Sequence, residues 1–346
     1  MREPITNALV VGSGSAGRRH ARELRNLLPN AKIAIVKRSS SEQPLELIKH
    51  YQIDLVPDIQ TGLQNGPQIA IVASPSSMHL SDCTEISKFC KFIFLEKPIS
   101  ETLESAYKLH HSLKAAKAVT TVGYHLRNSD TVLELKKILD RDRSIVYSSI
   151  TMEHRQHLSL WRPGVNPALS VSGRKDLGGG ILLEFSHEFD ALRFLLHDVS
   201  SVVKADLGYS GAPTDGLVET SSQATLKTTL GTEVETNLDM TSMVFKRLWS
   251  LKSQHRTISA NLADGLIYET FPNGAVNNLY AAKPGERDRA ETAILKRFLS
   301  TYYLGLDPHC TTYDGLATST VIEAIRQSAT SKLSVAIEPH EQKDFP

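Results

Sequence analysis

The sequence predicts an N-terminal α/β domain with a doubly wound parallel sheet, followed by an α+β domain with an open, largely antiparallel sheet. At roughly 150 residues per domain, a chain of 346 residues corresponds to about two domains. In the first third of the chain, short apolar runs alternate with helical patterns, which is typical of a parallel sheet covered on both faces. Later strand-like runs follow one another without intervening helices, which indicates an antiparallel sheet.

The first domain is predicted over residues 1–123. Its strands are apolar, β-branched runs such as Ala-Leu-Val-Val at 8–11 and Ile-Ala-Ile-Val at 33–36. Further strands are predicted at 68–74 and 92–95, and the last one ends near Val122 and Gly123. The segments between the strands have helical spacing, as in RRHARELRNLL and HLSDCTEISKFC.

The second domain is predicted over residues 124–346, with a strand at 144–152, several strands between 201 and 268, two helices and a final strand. We expect it to bind the substrate, with the site in the cleft between the domains. We also expect a homodimer or homotetramer, because an open sheet with an apolar outer face is usually covered by a partner.

The composition excludes several classes of function. Lys and Arg number 39 against 38 Asp and Glu, without a long basic block, so no nucleic-acid partner is expected. No run approaches roughly 18 apolar residues and no signal peptide is recognisable, so no membrane association is expected. The three cysteines have neither disulfide nor metal spacing, and no metal site is predicted. A cytoplasmic location is therefore expected.

A glycine-rich motif is predicted to bind a dinucleotide. The segment Gly12-Ser13-Gly14-Ser15-Ala16-Gly17 follows a predicted strand and opens a predicted helix, which is the context that G-x-G-x-x-G requires. Its glycines allow a tight turn and a close backbone approach, and the helix N-terminus attracts a pyrophosphate. An ordinary tight turn is the alternative, and the flanking strand and helix disfavour it.

The end of the second strand bears on which dinucleotide is bound. NAD-selective domains usually carry Asp or Glu there, whereas this chain has Lys37, Arg38 and Ser39. Two cations and a hydroxyl suit a ribose 2′-phosphate, which favours NADP over NAD. The alternative is a solvated basic turn with no role in recognition.

Three motifs together resemble a known family. The glycine motif, Ser-Pro-Ser-Ser-Met-His at 74–79 and Glu-Lys-Pro at 96–98 have the order and spacing seen in Gfo/Idh/MocA oxidoreductases. A Gly-Gly-Gly segment at 178–180 before His187 and the helical pattern at 312–330 extend the resemblance to nearly the whole chain. It implies a Rossmann domain, an open-sheet domain and oxidation or reduction of a sugar hydroxyl or carbonyl with NAD(P). Residues 157–163 and 178–188 are most similar to members associated with surface-polysaccharide and nonulosonate sugar synthesis.

The resemblance implies site residues. The cofactor contacts that it adds are Ser74, Pro75, His79, Glu96 and Lys97. Lys97 matches the family's catalytic lysine; it follows a buried strand at the carboxyl edge of the sheet, and Pro98 favours an extended backbone there.

His187 matches the family's histidine and can exchange a proton near neutral pH. Many members have Asp four residues before it, where this chain has Leu183. Glu184, three residues before, would share a helix face with His187 and is a third catalytic candidate, with a structural carboxylate as the equal alternative.

Five further residues are predicted to contact substrate. These are Tyr124, Arg155, Trp161, Arg162 and Asp190. Trp161 and Arg162 precede a Pro-Gly turn and could stack on the nicotinamide or clamp an anion, with surface cation–π packing as the alternative. Asp190 could instead support the site or pair with Arg193.

The function predicted from these residues is that of an NAD(P)-dependent dehydrogenase or reductase acting on CH–OH groups of a sugar or sugar derivative. One alternative within the family is a glycosidase that uses bound NAD for transient oxidation, without net redox. A second alternative is a non-catalytic sensor that binds a dinucleotide. A sensor needs neither Lys97 nor His187, so their joint presence disfavours it.

Overall fold

The computed structural model describes residues 2–38, 45–142, 145–161, 166, 170–212 and 216–338. The chain forms two compact units. The first contains Met1–Tyr124 with Thr292–Leu316, and the second contains His125–Glu291 with Ala317–Pro346. Each unit is built around its own sheet.

The first unit contains a six-stranded parallel sheet with the order β3-β2-β1-β4-β5-β6. The order reverses between β1 and β4, which makes the carboxyl edge of these two strands the expected ligand-binding point of a doubly wound sheet. The strands are β1 Asn7–Val11, β2 Lys32–Val36, β3 Asp54–Val56, β4 Ile69–Val72, β5 Phe92–Leu95 and β6 Val119–Val122. The connecting helices are α1 Ser15–Leu27, α2 Leu45–Tyr51, α3 Ile59–Leu63, α4 His79–Ile86 and α5 Leu103–Ala115.

The second unit contains a nine-stranded sheet with the order β14-β13-β12-β11-β7-β10-β9-β8-β15, in which only β7 and β10 pair in parallel. The strands are β7 Tyr147–Arg155, β8 Val199–Ala212, β9 Gly216–Thr228, β10 Glu233–Asp239, β11 Lys246–Ser253, β12 Thr257–Asn261, β13 Leu266–Thr270, β14 Val276–Ala281 and β15 Val335–Ala336. The remaining helices, in chain order, are α6 Asp130–Arg141, α7 Leu158–Trp161, α8 Ile181–Glu184, α9 Ser186–Leu195, α10 Glu286–Leu304 and α11 Thr312–Ser331. The predicted fold class is confirmed.

A late segment of the chain belongs to the first unit, whereas we expected a single boundary after residue 123. Within α10, the residues Ile294, Leu295, Phe298 and Leu299 are buried in the core of the first sheet. Phe298 packs edge-on against Phe94 of β5, with ring centroids 5.7 Å apart. The amphipathic pattern of α10 was visible in the sequence, but an amphipathic pattern does not specify which sheet a helix covers.

The outer face of the nine-stranded sheet is polar at its two parallel strands, where we expected an apolar face. Ile150 and Met152 of β7 are buried in the core on the helical side, while Thr151, between them, and Glu153, after Met152, point to the other side. The register continues this polar face into β10, where Glu235 pairs with Thr151. The homo-oligomer stays a prediction.

The described ranges contain no helix that is both long enough and apolar enough to cross a membrane.

Candidate active site

The glycine motif forms a tight turn between β1 and α1. Gly12 has a φ of 105°, a conformation that residues with a side chain rarely adopt. Gly17 lies in the first turn of α1, where an added Cβ would collide with the carbonyl oxygen of Gly12. Nothing lies within 4 Å of the Cβ position at Gly14, which is the N-cap of α1. The turn therefore has no room for a side chain at Gly17 but is open at Gly14, which we call its tip.

The N-terminus of α1 is suited to an anion. No side chain caps it, and its first turn contains no acidic residue. A helix of 13 residues presents its first amide groups and a partial positive charge at this end. Ser13 and Ser15 flank the tip, and Ala16 follows within the first turn. The turn therefore fits a pyrophosphate group, as the sequence predicts.

Arg38 follows β2 and is held by a carboxylate from α4. Its terminal nitrogens Nη1 and Nη2 donate to the two oxygens of Asp82 at 3.1 and 2.8 Å. Asp82 is only 2% exposed and also accepts a hydrogen bond of 2.7 Å from Ser74 Oγ. Lys37 is partly buried, and Ser39 lies outside the described residues. Pro75 follows Ser74 and precedes a short 3₁₀ helix at Ser76–Met78.

His79 joins two loops at the carboxyl edge of the first sheet. Its ring nitrogens lie 3.2 Å from the carbonyl oxygen of Ile99 and 2.9 Å from that of Ser74. Burial lowers the pKa of this imidazole, which is 1% exposed. We infer that His79 positions the Ser74 loop. The resemblance implies that His79 contacts the dinucleotide, and that contact stays a prediction.

Glu96 and Lys97 follow β5. Glu96 lies 2.6 Å from Nε2 of His20 and 3.3 Å from Arg19, both on α1. Burial acts to raise the pKa of Glu96, but the hydrogen bond from His20 and the charges of His20 and Arg19 outweigh it and hold the pKa well below its usual range. Glu96 is therefore an ionised carboxylate that ties β5 to α1. The following peptide bond, between Lys97 and Pro98, is cis.

In the second unit, His187 contacts another histidine. The rings of His187 and His125 meet edge to face with centroids 4.4 Å apart, and His187 is 8% exposed. His125 begins a short 3₁₀ helix, His125–Asn128. A buried bidentate ion pair, Arg127 Nε and Nη2 with Asp190 at 2.9 and 2.7 Å, joins this helix to α9. The partner of Asp190 described here is thus Arg127, and Arg193, which we considered as its partner, contacts Asp198 at 2.6 Å.

The helix on which we expected Glu184 and His187 to share a face is broken. α8 ends at Glu184 and α9 begins at Ser186, because Phe185 has φ −95° and ψ 18° and leaves the helical conformation. Glu184 and His187 therefore lie on opposite sides of the break, and the argument that they share one helix face is wrong. A role for Glu184 in proton transfer stays a prediction.

A buried polar network surrounds Glu188, which the sequence did not single out. Its carboxylate accepts from His154 Nδ1 at 2.9 Å, Arg247 Nε at 2.7 Å and Trp249 Nε1 at 2.8 Å. Burial acts to raise the pKa of Glu188, but the charge of Arg247 and the hydrogen bonds from His154 and Trp249 bring it to about 2. His154 stacks on Phe185 at 3.8 Å between ring centroids. This network fixes the start of α9 directly beside His187.

The remaining substrate candidates are Tyr124, Arg155, Trp161 and Arg162. Tyr124 is fully buried in the first unit, and Arg155 points to the outer face of its sheet, where it pairs with Glu153 at 2.6 Å. Both positions argue against direct contact with substrate. Trp161 packs edge-on against Phe185, with ring centroids 5.1 Å apart, and donates from Nε1 to Gln156. Arg162 lies outside the described residues.

Residues missed by sequence reasoning are those whose partners are distant in the chain. Asp82 is 44 residues from Arg38, and Arg247 is 59 residues from Glu188. The sequence carried no local signal for either pair. Among the described residues, no group of three or more His, Cys, Asp or Glu side chains is placed to hold a metal ion.

The glycine turn, the uncapped helix and the reversed strand order are together typical of a dinucleotide-binding domain. Residues 6–124 match the family model of the Gfo/Idh/MocA oxidoreductases, which is described as an oxidoreductase family with an NAD-binding Rossmann fold. The predicted resemblance to this family is confirmed, and residues 6–124 carry the match.

Relatives and solved structures extend the match beyond the first unit. An inositol 2-dehydrogenase/D-chiro-inositol 3-dehydrogenase of Lacticaseibacillus casei is 26% identical over 304 residues, which cover 85% of this chain and 80% of that protein. A levoglucosan dehydrogenase in complex with NADH and L-sorbose is 16% identical, has a TM-score of 0.81, and is matched over 96% of this chain and 98% of its own. The WlbA dehydrogenase of Bordetella pertussis, in complex with NADH and UDP-GlcNAcA, is 17% identical, has a TM-score of 0.79, and is matched over 97% and 100%. At these identities the solved structures establish the fold.

Proposed function

We propose that this protein is a nicotinamide-dinucleotide-dependent dehydrogenase or reductase that acts on a hydroxyl-bearing carbon of a sugar or sugar derivative. The observation that carries the proposal is the glycine turn, with its open tip at Gly14 and the uncapped N-terminus of α1 behind it. Lys97 follows a strand of the same parallel sheet, after the ionised Glu96. The relatives act on inositol, levoglucosan and related compounds by their names, which supports a polyhydroxylated substrate.

The residues divide the work by their chemistry. A bound nicotinamide would supply the hydride acceptor or donor. In the reducing direction, Lys97 would hold the carbonyl oxygen through its ammonium group, where negative charge develops, and donate a proton to it; in the oxidising direction its neutral amine would accept the hydroxyl proton. His187 would exchange a proton near neutral pH or bind the reacting hydroxyl. The Arg127–Asp190 ion pair would hold the 3₁₀ helix that carries His125, and the Glu188 network would hold the start of α9 beside His187. Neither group would touch the substrate.

Cofactor type is the first question for an experiment. The adjacent cations Lys37 and Arg38 support NADP, whereas the engagement of Arg38 by Asp82 supports NAD. Fluorescence titrations of the purified protein with NADH and with NADPH, at one ionic strength, measure both affinities. If neither dinucleotide binds and none copurifies, the proposed function is wrong.

Turnover is tested with Lys97→Met. We expect kcat to fall by about 10²–10⁴-fold, because a positioned acid–base group contributes that much, while NADH affinity is retained. The substrates to screen are myo-inositol, levoglucosan and UDP-N-acetylglucosamine, with formation of NADH or NADPH as the signal. Lys91→Met is the matched control, since Lys91 is an exposed lysine that precedes the same strand at its other end.

Two results would contradict this mechanism. Full turnover by Lys97→Met would remove Lys97 from the chemistry. Consumption of substrate without accumulation of reduced cofactor would replace net redox by transient oxidation.

A further inference from the structure

We infer that Asp82 sets the cofactor preference of this site by holding Arg38, so that the site accepts a ribose 2′-hydroxyl in preference to a 2′-phosphate. This inference rests on the proposed function, since it concerns the same dinucleotide site. It assigns a role to a residue that no motif contains. It also reverses the expectation drawn from Lys37 and Arg38 in the sequence.

The two residues lie where the adenosine ribose is bound in a doubly wound sheet. In the parallel register, Val36 of β2 and Val72 of β4 both pair with Val11 of β1, so the carboxyl ends of these strands are level. Arg38 and Ser74 each lie two residues beyond those ends. They therefore flank the glycine turn that follows β1, at the point where strand order reverses.

Asp82 binds the two terminal nitrogens of Arg38, which are groups that a phosphate would need. A guanidinium binds phosphate or carboxylate bidentately through two parallel N–H groups. In Arg38, Nη1 and Nη2 already donate to the two oxygens of Asp82 at 3.1 and 2.8 Å. A 2′-phosphate that took the same edge would leave the Asp82 carboxylate, which is 2% exposed, without its cation. Breaking a buried ion pair in this way is strongly unfavourable.

The carboxylate is also held by groups other than Arg38. Ser74 Oγ donates to Asp82 at 2.7 Å, and Asp82 lies in the first turn of α4, where the helix dipole favours negative charge. Asp82 is therefore stabilised by two features of the first unit besides Arg38. Arg38, with 34% of its side chain exposed, is the more exposed partner of the pair.

Two carboxylates lie near these cations. Asp82 pairs with Arg38, and Asp58 caps α3 through a hydrogen bond of 2.7 Å from the Thr61 amide. The pKa of Asp58 is lowered, first by that hydrogen bond and in addition by the charge of Arg38. The ion pair with Asp82 therefore reduces the positive potential that Arg38 offers to a dianionic phosphate.

The experiment compares the Kd values of NADH and NADPH, measured by fluorescence titration, in the wild type and in variants. We expect the wild type to bind NADH more tightly. Asp82→Asn should shift the ratio of the two Kd values toward NADPH by about tenfold, because Arg38 is released from a charged partner. Asp58→Asn is the matched control: it removes an exposed carboxylate near Arg38 without freeing the guanidinium, and should change the ratio far less than Asp82→Asn does.

A second variant keeps the inference testable if Asp82→Asn does not fold. Arg38→Lys keeps a cation beside Asp82 but has no bidentate guanidinium, and should leave NADPH affinity unchanged, since Arg38 does not bind the 2′-phosphate in the wild type. A loss of about tenfold in NADPH affinity, with NADH affinity retained, would show that Arg38 binds the phosphate and overturn the inference. An unchanged ratio in folded Asp82→Asn, or a shift away from NADPH, overturns it as well. If the wild type binds neither dinucleotide, the proposed function fails; if it binds both and the ratio does not move, only this inference fails.

Discussion

At the scale of single residues, buried carboxylates carry most of the specific organisation. Asp82, Asp190 and Glu188 are buried, Glu96 is partly buried, and each contacts a cation or an imidazole within its own unit. A buried carboxylate is stable only when it is paired and hydrogen-bonded. Sequence reasoning identified Glu96 and Asp190 as functional positions because they belong to family motifs, and it assigned Glu96 to the cofactor and Asp190 to the substrate. Their partners make both of them parts of the framework as well.

Glu188→Gln should destabilise the protein by about 3–5 kcal/mol at neutral pH, because it leaves Arg247 buried beside an uncharged group. The pKa of Glu188 is lowered to about 2 in the folded chain from an ordinary value of 4.5. Its stabilising contribution is therefore fully present above pH 4.5 and is lost as the pH falls toward 2. Over that range the wild type should lose on the order of 3 kcal/mol that the variant does not lose.

Urea unfolding at a series of pH values measures this difference. Glu104→Gln is the control, because Glu104 is exposed and pairs only at the surface with Lys108. Parallel pH profiles for the wild type and Glu188→Gln would contradict the assignment of this carboxylate as ionised and stabilising.

At the scale of elements, local motifs were predictable and long-range pairings were not. The glycine turn depends on six consecutive residues and on the strand and helix beside them, so its structure follows from the sequence. The break at Phe185 does not follow, because the apolar stripe through Leu182, Phe189 and Leu192 continues across it. That stripe is compatible with one helix or two. Arg38 was read as a free cation for the same reason: its counter-ion lies on another element.

Two glycine variants separate folding from binding in this turn. Gly17→Ala should destabilise the protein, because the added Cβ would collide with the carbonyl oxygen of Gly12. Gly14→Ala should leave stability unchanged, since no atom lies within 4 Å of its Cβ position, but should weaken NADH binding where the pyrophosphate approaches the backbone. Thermal unfolding and NADH titration of both variants test this. Equal loss of stability in the two variants would show that the tip of the turn is not open.

At the scale of the whole molecule, the order of elements along the chain does not reveal which chain segments make up each of the two units. A reading from the N-terminus assigns everything after the first parallel sheet to a second domain. In the structure, residues 292–316 belong to the first unit, where Ile294, Leu295, Phe298 and Leu299 are buried. The sequence showed the helix and its apolar positions correctly. The sequence could not show which of the two sheets this helix covers, because the hydrophobic pattern of a helix fits any apolar sheet face.

A fragment of residues 1–124 should therefore not fold stably by itself. Burial of four large apolar side chains contributes roughly 6–12 kcal/mol, which is comparable to the total stability of about 5–15 kcal/mol expected of a domain. We expect the fragment to bind a hydrophobic dye and to unfold without cooperativity. Co-expression with residues 286–316 should restore a cooperative transition, since that segment carries the four side chains. The same segment with Phe298→Asp is the control and should not restore it, because it places a charge against Phe94 in the core. Cooperative unfolding of the 1–124 fragment near the temperature of the full chain would show that the first sheet is stable without α10.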